Sequence, residues 1–164
     1  MAVSKKLIIS ASALVIIAFV LWIFGSRSVA INVAKQDCRQ VEIGENEFCL
    51  WVADSFEERK QGLSNTYLGD FQSSREADGM IFLFDEPTVQ NFWMKEMLFD
   101  LDVLWIADSQ VIKIDTGIKA PDFAGEEPER MSSDPYAVSW VIELPSGSVN
   151  HFNIEAGDKA LFSE

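Results

Sequence analysis

The sequence predicts a mainly β (α+β) protein: a small antiparallel barrel or sandwich with one short helix, preceded by a single N-terminal transmembrane helix. Two observations support this fold class. Residues Leu7–Phe24 form an uncharged run of 18 residues, whereas the rest of the chain alternates short apolar stretches with Gly, Pro, Asp and Ser clusters. Such alternation is typical of a domain built from short strands, because turn residues must recur between them.

The apolar run Leu7–Phe24 is long enough to cross a membrane. At about 1.5 Å per residue it would make a helix of roughly 27 Å, close to the ~30 Å hydrocarbon core of a bilayer. Lys5 and Lys6 precede the run and Arg27 alone follows it closely, which favours a cytoplasmic amino terminus. The predicted organisation is a short cytoplasmic tail, an anchor helix, a linker and one extracytoplasmic mainly β domain: residues 1–6, 7–24, 25–36 and 37–164.

A cleaved secretory signal is the alternative interpretation of the same run, and it would give a secreted form of the domain. Ser28-Val29-Ala30 would then supply the cleavage site. A signal peptide has an apolar region of about 7 to 15 residues, and the run here is longer and ends in bulky side chains. The length therefore favours a retained anchor, and the mass of the mature protein distinguishes the two.

Two cysteines, Cys38 and Cys49, lie on the predicted extracytoplasmic side. An even number of cysteines in an oxidising compartment indicates a disulfide. The residues between them alternate in polarity around a turn-like centre, Gly44-Glu45-Asn46. We therefore expect the disulfide to join neighbouring strands of a hairpin, with two free thiols as the alternative if the domain is cytoplasmic.

The first half of the domain contains the predicted helix. A strand over Phe48–Ala53 leads to a capping box, in which Ser55 and Glu58 satisfy each other's backbone amides. Gly62 supplies a stop for this short helix. After a polar connection, Gly79–Phe84 is apolar on both alternating faces, which predicts a central strand.

The second half of the domain reads as further strands. Asp85-Glu86-Pro87 predicts a turn, and residues 117–136, with three prolines and several acids, predict an exposed loop. A short helix or turn is expected between Pro145 and His151. The remaining apolar stretches predict four strands and a short closing strand: Val89–Lys95, Leu101–Ile106, Val111–Thr116, Ala137–Leu144 and Lys159–Phe162.

Charge restricts the partners of this chain. It has 26 acidic and 13 basic residues, and all of the acidic but only ten of the basic residues lie after Ala30, so that part carries a net charge near −16. Such a domain repels phosphate groups, which makes nucleic acid and anionic lipid surfaces poor partners. The expected partners are the membrane, through Leu7–Phe24, and a small polar ligand or an envelope protein.

Several motifs, in this order, resemble the family called domain of unknown function 192. The matching stretches are Val52–Ser55, Glu57–Arg59, Gly62-Leu63, Gly79–Phe82, Phe92–Lys95, Leu101–Val103, Val141–Pro145 with Gly147, and Gly157-Asp158. The resemblance covers about residues 47 to 162 and implies a small, mainly β domain, often behind a signal or anchor, with no established activity. Glu96, Met97 and Asp100 depart from the pattern usual in the family at those positions, which puts a shared ligand preference in doubt.

The densest cluster of functional groups is Trp93 and Lys95 with Asp100 and Asp102. Asp102 shares a strand face with apolar residues, so its carboxylate should be partly buried and needs a partner. Lys95 or backbone amides of the 96–100 turn could supply one, and Asp102 would then only hold that turn while Trp93 and Met94 fill the core. Alternatively, Trp93 and Lys95 line a shallow cleft in which Asp102 orients a polar ligand.

The chemistry available to an enzyme is limited. A hydrolase acting on envelope polymers would use Asp100 and Asp102 as acid and base, but no nucleophile or third group accompanies them. His151 is the only histidine, which disfavours metal sites and a serine–histidine triad. No cofactor or metal is indicated, and the leading hypothesis is a non-catalytic envelope module that binds a ligand or a protein.

Overall fold

The computed structural model describes residues 38–69 and 77–163. The predicted tail, anchor helix and linker lie outside these residues. Within the described residues, no helix is long and apolar enough to span a bilayer. The strands and helices are β1 Arg39–Ile43, β2 Asn46–Ala53, α1 Phe56–Gln61, β3 Gly79–Thr88, β4 Asn91–Trp93, β5 Leu101–Ala107, β6 Gln110–Ile118, β7 Arg130–Ser132, β8 Val138–Pro145, α2 Ser148–Phe152 and β9 Ala160–Phe162.

Seven strands form one curved sheet in the order β6-β5-β8-β3-β2-β1-β9, and β4 and β7 form a separate two-stranded sheet. The two ends of the large sheet meet at one corner, where Gln110 bridges to Lys159 and the Val111 amide donates to the Asp158 carbonyl at 2.9 Å. The sheet is therefore a half-barrel, which confirms the mainly β prediction. One pair departs from the antiparallel expectation: β2 and β3 are parallel, because α1 and its connection return the chain to the same end of the sheet.

Apolar side chains bury both faces of the central strands. One cluster includes Ile81, Leu104 and Ile142, and the other includes Phe82 and Trp105. The two clusters alternate along each strand, as strand geometry requires. The small β4–β7 sheet covers the second cluster, because Met131 of β7 and Phe92 of β4 pack there.

The prediction of a central strand at Gly79–Phe84 is confirmed, since β3 is the middle strand of the seven. Its first residue must be glycine for steric reasons. A Cβ atom on Gly79 would clash with the carbonyl oxygen of Glu143 and the side chain of Leu144. The close approach of β3 to β8 therefore depends on the missing side chain.

The hairpin at the amino-terminal edge matches the sequence prediction. Strands β1 and β2 pair antiparallel, and Gly44 occupies the turn with a φ of +61°, where a side chain would be strained. A disulfide joins Cys38 to Cys49, with a Cα–Cα distance of 5.3 Å. The disulfide therefore joins the open end of the hairpin.

Helix α1 begins and ends at the predicted residues. The Ser55 hydroxyl accepts from the Glu58 amide at 3.2 Å, and the Glu58 carboxylate accepts from the Ser55 amide at 3.0 Å. The Ser55 amide lowers the pKa of Glu58, and so does the Ser55 hydroxyl, which also donates to the Glu58 carboxylate at 2.8 Å. Gly62 is the C-cap residue. The capping box and the glycine stop are both confirmed.

Three local predictions need correction. Strand β3 continues through Asp85-Glu86-Pro87 to Thr88, because a register shift between Leu83 and Thr88 places the proline where no ladder amide is needed. The predicted loop 117–136 contains β7, since Met131 is only 8% exposed and pairs with β4. The described residues also contain α2 where the sequence predicted a short helix or turn, so the fold class has two short helices rather than the one expected.

Candidate functional site

An open cleft of about 660 Å³ lies between the segment Trp93–Leu98 and the loop Pro121–Pro128. We call it the Trp93 cleft. Arg130 of β7 lies in its lining together with Lys95, Leu98 and Phe123. The cleft thus contains two of the four side chains that the sequence identified, Trp93 and Lys95.

Strand alternation on β4 presents Trp93 to solvent. Phe92 points inward, where its ring meets the rings of Phe82 at 4.9 Å and Trp105 at 5.8 Å, both edge to face. Its neighbour Trp93 points to the opposite side and is 47% exposed, so the interpretation in which Trp93 fills the core is wrong, whereas Met94 is buried as that interpretation expected. The short strand therefore covers the core with one aromatic ring and leaves the next one available for binding.

Two cations flank the exposed indole. The ammonium of Lys95 and the guanidinium of Arg130 each lie 5.4 Å from the centre of the Trp93 ring. Each cation also approaches a carboxylate: Lys95 lies 3.8 Å from Glu96, and Arg130 lies 3.1 Å from Glu127. These pairs are exposed and therefore weak, so a bound ligand could replace either carboxylate.

Apolar side chains supply the remaining contact surface of the cleft. Leu98 is 46% exposed and Phe123 is 66% exposed. An aromatic ring between cations, with apolar neighbours, can bind a ligand that combines a flat apolar part with a few polar groups.

Hydrogen bonds hold the first wall of the cleft. The Asn65 amide donates to the Glu96 carbonyl at 2.8 Å, and the Asn65 side chain donates to the Glu96 carboxylate at 3.1 Å. The Ser64 hydroxyl donates to the Lys95 carbonyl at 2.9 Å. The segment that carries Lys95 is thus tied to the end of α1.

Asp100 holds the base of the second wall. Its carboxylate accepts from the Lys119 ammonium at 2.5 Å and from the Ala120 amide at 2.9 Å. Both interactions lower the pKa of Asp100, and the carboxylate in turn raises the pKa of Lys119. Glu129 adds a second tie, since its side chain accepts from the Lys119 amide at 2.9 Å. Asp100 therefore positions the loop and does not line the cleft.

Asp102 is buried and serves the fold. It is 1% exposed. One carboxylate oxygen accepts from the Gly117 amide at 2.9 Å, and the other accepts from the amides of Gly147 and Val149 at 3.0 Å each. These donors belong to β6 and to the start of α2 rather than to the 96–100 turn. The carboxylate therefore joins three distant segments.

A second cleft, of about 670 Å³, lies beside α2 and contains Asp78, Ser148 and His151 in its lining. Asp78 accepts from the Cys49 amide at 2.8 Å, and the Ser148 hydroxyl donates to the Pro145 carbonyl at 2.6 Å. Within the part of the chain that the structure describes, no hydrogen bond links these three side chains into a catalytic triad. His151 is exposed.

The described residues do not meet the requirements of a metal site. In residues 38–69 and 77–163, no group of three or more His, Cys, Asp or Glu side chains is arranged to hold a metal ion. The acidic loop beyond Ala120 uses its carboxylates locally, since Glu126 accepts from the Asp122 amide at 2.6 Å.

Sequence reasoning missed three side chains of the Trp93 cleft: Arg130, Phe123 and Leu98. Arg130 lies 37 positions after Trp93 and falls within a predicted exposed loop. It reaches Trp93 only because β4 and β7 pair, with these two residues directly opposite. No local pattern in the sequence indicates that pairing.

The fold and the cleft define a small half-barrel domain with an open cleft, whose lining combines exposed aromatic side chains with two cations and four carboxylates. The chain belongs to the DUF192 family, described as an uncharacterized ACR, whose model matches residues 39–162. No curated protein matches the chain.

Two solved structures share this fold. A protein of unknown function from Novosphingobium aromaticivorans DSM 12444 is 25% identical, with a TM-score of 0.61 over 74% of this chain and 82% of that one. A protein from Sinorhizobium meliloti 1021, for which a role as a transcription regulator has been suggested, is 24% identical, with a TM-score of 0.61 over 76% of this chain and 92% of that one. The second likeness concerns the fold alone.

Proposed function

We propose that this protein is a non-catalytic binding module of the cell envelope, anchored by Leu7–Phe24, and that the Trp93 cleft binds its ligand. The observation that carries the proposal is the exposed indole of Trp93, held between two cations in an open cleft of about 660 Å³. Trp93 is grouped in this cleft with two further exposed apolar side chains, Leu98 and Phe123, and grouped exposed apolar side chains indicate a binding surface where a single one does not.

The ligand class follows from the lining. Lys95 and Arg130 attract an anionic group, whereas Leu98 and Phe123 favour an apolar or ring-shaped part. Four carboxylates also line the cleft: Glu96, Asp122, Glu126 and Glu127. Two of them, Glu96 and Glu127, pair with these cations, so the lining carries more negative than positive charge. We therefore expect a small ligand with one flat apolar part and a few polar groups, or a protein loop with the same chemistry.

The disulfide supports an extracytoplasmic domain. Disulfides persist in oxidising compartments and are rare in the cytosol, and Cys38 and Cys49 are joined here. The uncharged run Leu7–Phe24 is long enough to anchor such a domain in a membrane.

The hydrolase alternative gains no support from the geometry of its two carboxylates. Every carboxylate oxygen of Asp100 and Asp102 accepts a hydrogen bond from the protein itself. The lowered pKa of Asp100 also leaves no proton to donate near neutral pH. The acidic charge of the chain likewise disfavours DNA as a partner.

A thermal-shift screen of small metabolites against the full-length protein tests the proposal. A true ligand should raise the melting temperature of the wild-type protein and not that of Trp93→Ala. Tyr136→Ala is the matched control, because Tyr136 is 46% exposed, close to the 47% of Trp93, and does not line the cleft. A ligand that stabilises Trp93→Ala as well as the wild type would refute the assignment of the cleft.

A further inference from the structure

We propose that the free edge of β4 binds an extended, acidic polypeptide segment of a partner protein by strand addition. This site shares Trp93 with the Trp93 cleft but lies on the other side of β4, beside α1, and goes beyond the function proposed above. Strand addition supplies backbone hydrogen bonds along an open edge, and pockets beside that edge select alternate side chains of the incoming segment.

The pairing of β4 with β7 fixes which backbone groups of β4 are already used. The Ser133 amide donates to the Gln90 carbonyl at 3.0 Å, and the Met94 amide donates to the Glu129 carbonyl at 2.9 Å. In an antiparallel ladder, residues that bond to the partner strand alternate with residues that point away from it. Residues 90, 92 and 94 therefore face β7.

The intervening residues, Asn91 and Trp93, direct their amide and carbonyl groups to the opposite edge. In the described ranges, no backbone or side-chain group bonds to them, and β4 pairs with no strand other than β7. Two residues thus offer two donors and two acceptors at the spacing of an incoming strand.

A groove of about 350 Å³ runs between this edge and α1. Phe56 and Phe84 give it apolar surface, and Phe56 is 69% exposed. Asn91 and Trp93 form its other side. An extended segment lying along β4 would direct every second side chain into this groove. We call it the edge groove.

The charge of the edge groove indicates an acidic occupant. The described residues contain eight basic side chains: Arg39, Arg59, Lys60, Lys95, Lys113, Lys119, Arg130 and Lys159. Arg59 and Lys60 line the edge groove, and no carboxylate does. A locally cationic groove in a chain with a net charge of −13 favours acidic segments and steers them to this edge.

The two cations have different roles. Arg59 is fixed, because its guanidinium donates to the carbonyls of Asp54 and Leu83 and lies 5.5 Å from the centre of the Phe84 ring. Lys60 is exposed and can follow a carboxylate on the incoming segment. Lys60 is therefore the residue to change.

A second copy of this chain fits the edge less well than an acidic partner. Two copies joined through β4 would bring Arg59 and Lys60 of one beside the same cations of the other, and like charges oppose that approach.

The test uses isotope-labelled, full-length protein and capped five-residue peptides. The probe peptide has Glu at both ends and Val, Phe and Val between them, and its control has Lys in place of Glu. We expect the acidic peptide to shift the NMR amide signals of Asn91 and Trp93 and to slow their hydrogen exchange. We expect the Lys peptide to leave both signals unchanged.

Two variants separate backbone pairing from charge. Asn91→Pro removes an outward amide but no bond to β7, and edge strands tolerate proline. This variant should therefore lower the affinity for the acidic peptide about tenfold. Lys60→Glu should lower the affinity for the acidic peptide about fivefold at low salt. Lys159→Glu changes an exposed lysine outside the groove and should leave the affinity unchanged. Because Lys60→Glu leaves the backbone intact, it remains informative if the proline variant does not fold.

Four outcomes would overturn the proposal. The first is no shift at Asn91 with the acidic peptide at millimolar concentration, and the second is equal binding of the two peptides. The third is a shift at Phe123 with Asn91 unchanged, which would assign the peptide to the Trp93 cleft and leave the proposed function standing. The fourth is a shift at Asn91 that depends on protein concentration alone, which would make a second copy the occupant.

Discussion

Replacing Asp102 by asparagine should destabilise the fold by about 3 kcal/mol without a specific effect on binding. The carboxylate accepts hydrogen bonds from the backbone amides of Gly117, Gly147 and Val149. Hydrogen bonds to a charged group contribute about 1.5 to 3 kcal/mol each. An asparagine can keep its oxygen towards Gly147 and Val149, but its amino group then faces the Gly117 amide, donor against donor.

Urea denaturation of the full-length protein measures this effect. With an m-value of about 2 kcal/mol per molar, a loss of 3 kcal/mol lowers the midpoint by about 1.5 M. Asp100→Asn is the control, because Asp100 has a side-chain exposure of 33% and its ion pair should contribute no more than about 1 kcal/mol. If Asp102→Asn were no more destabilising than Asp100→Asn, the assignment of Asp102 to the fold would be wrong.

Three further predictions concern stability. Burial raises the pKa of Glu143 from 4.5 to about 8, so between these pH values the native state holds a proton that the unfolded state releases. The free energy of unfolding should therefore fall by about 1.4 kcal/mol for each pH unit in this range. Urea titrations at several pH values measure this slope, and Glu143→Gln should abolish it. Reducing the Cys38–Cys49 disulfide, which closes a separation of 11 residues, should lower the free energy of unfolding by about 3 kcal/mol, and an unchanged urea midpoint in reductant would contradict this. Ser55→Ala removes the cap of α1 and should lower the free energy of unfolding by about 1 kcal/mol. An unchanged urea midpoint would mean that the capping box does not stabilise the fold.

Local sequence patterns predicted the parts of the fold that local interactions determine. The capping box at Ser55 and the stop at Gly62 depend on neighbours within a few residues, and both are confirmed. The strand at Gly79–Phe84 is apolar on both faces because it lies in the middle of the sheet. The glycine turn between Cys38 and Cys49 likewise predicts the hairpin that their disulfide joins.

Elements that depend on distant partners could not be predicted in this way. The strand β7 has three residues, too few for a periodic pattern, and it forms only because Met131 fills the space beside Phe92. The proline at position 87 indicates a turn locally, but the register shift in β3 accommodates it. Such features depend on packing that the sequence does not show locally.

The same distinction applies to the candidate site. Trp93 and Lys95 are neighbours in sequence, so the motif revealed them together. Asp102 was correctly expected to need a partner, but its donors lie 15, 45 and 47 positions away, beyond the reach of a local argument. Arg130 could be recognised as a residue of the cleft only from the pairing of β4 and β7, which places it opposite Trp93.

The register of β4 determines both proposed binding surfaces. With Phe92 inward, Trp93 is exposed, faces Arg130 across the ladder and leaves its own backbone groups at the free edge. A shift of one residue would reverse every side chain of the strand: Trp93 would turn to the core and Phe92 to solvent. Because Phe92 packs between the rings of Phe82 and Trp105, the core favours one register. The packing of a single, partly buried ring thus determines how Trp93 is presented for binding.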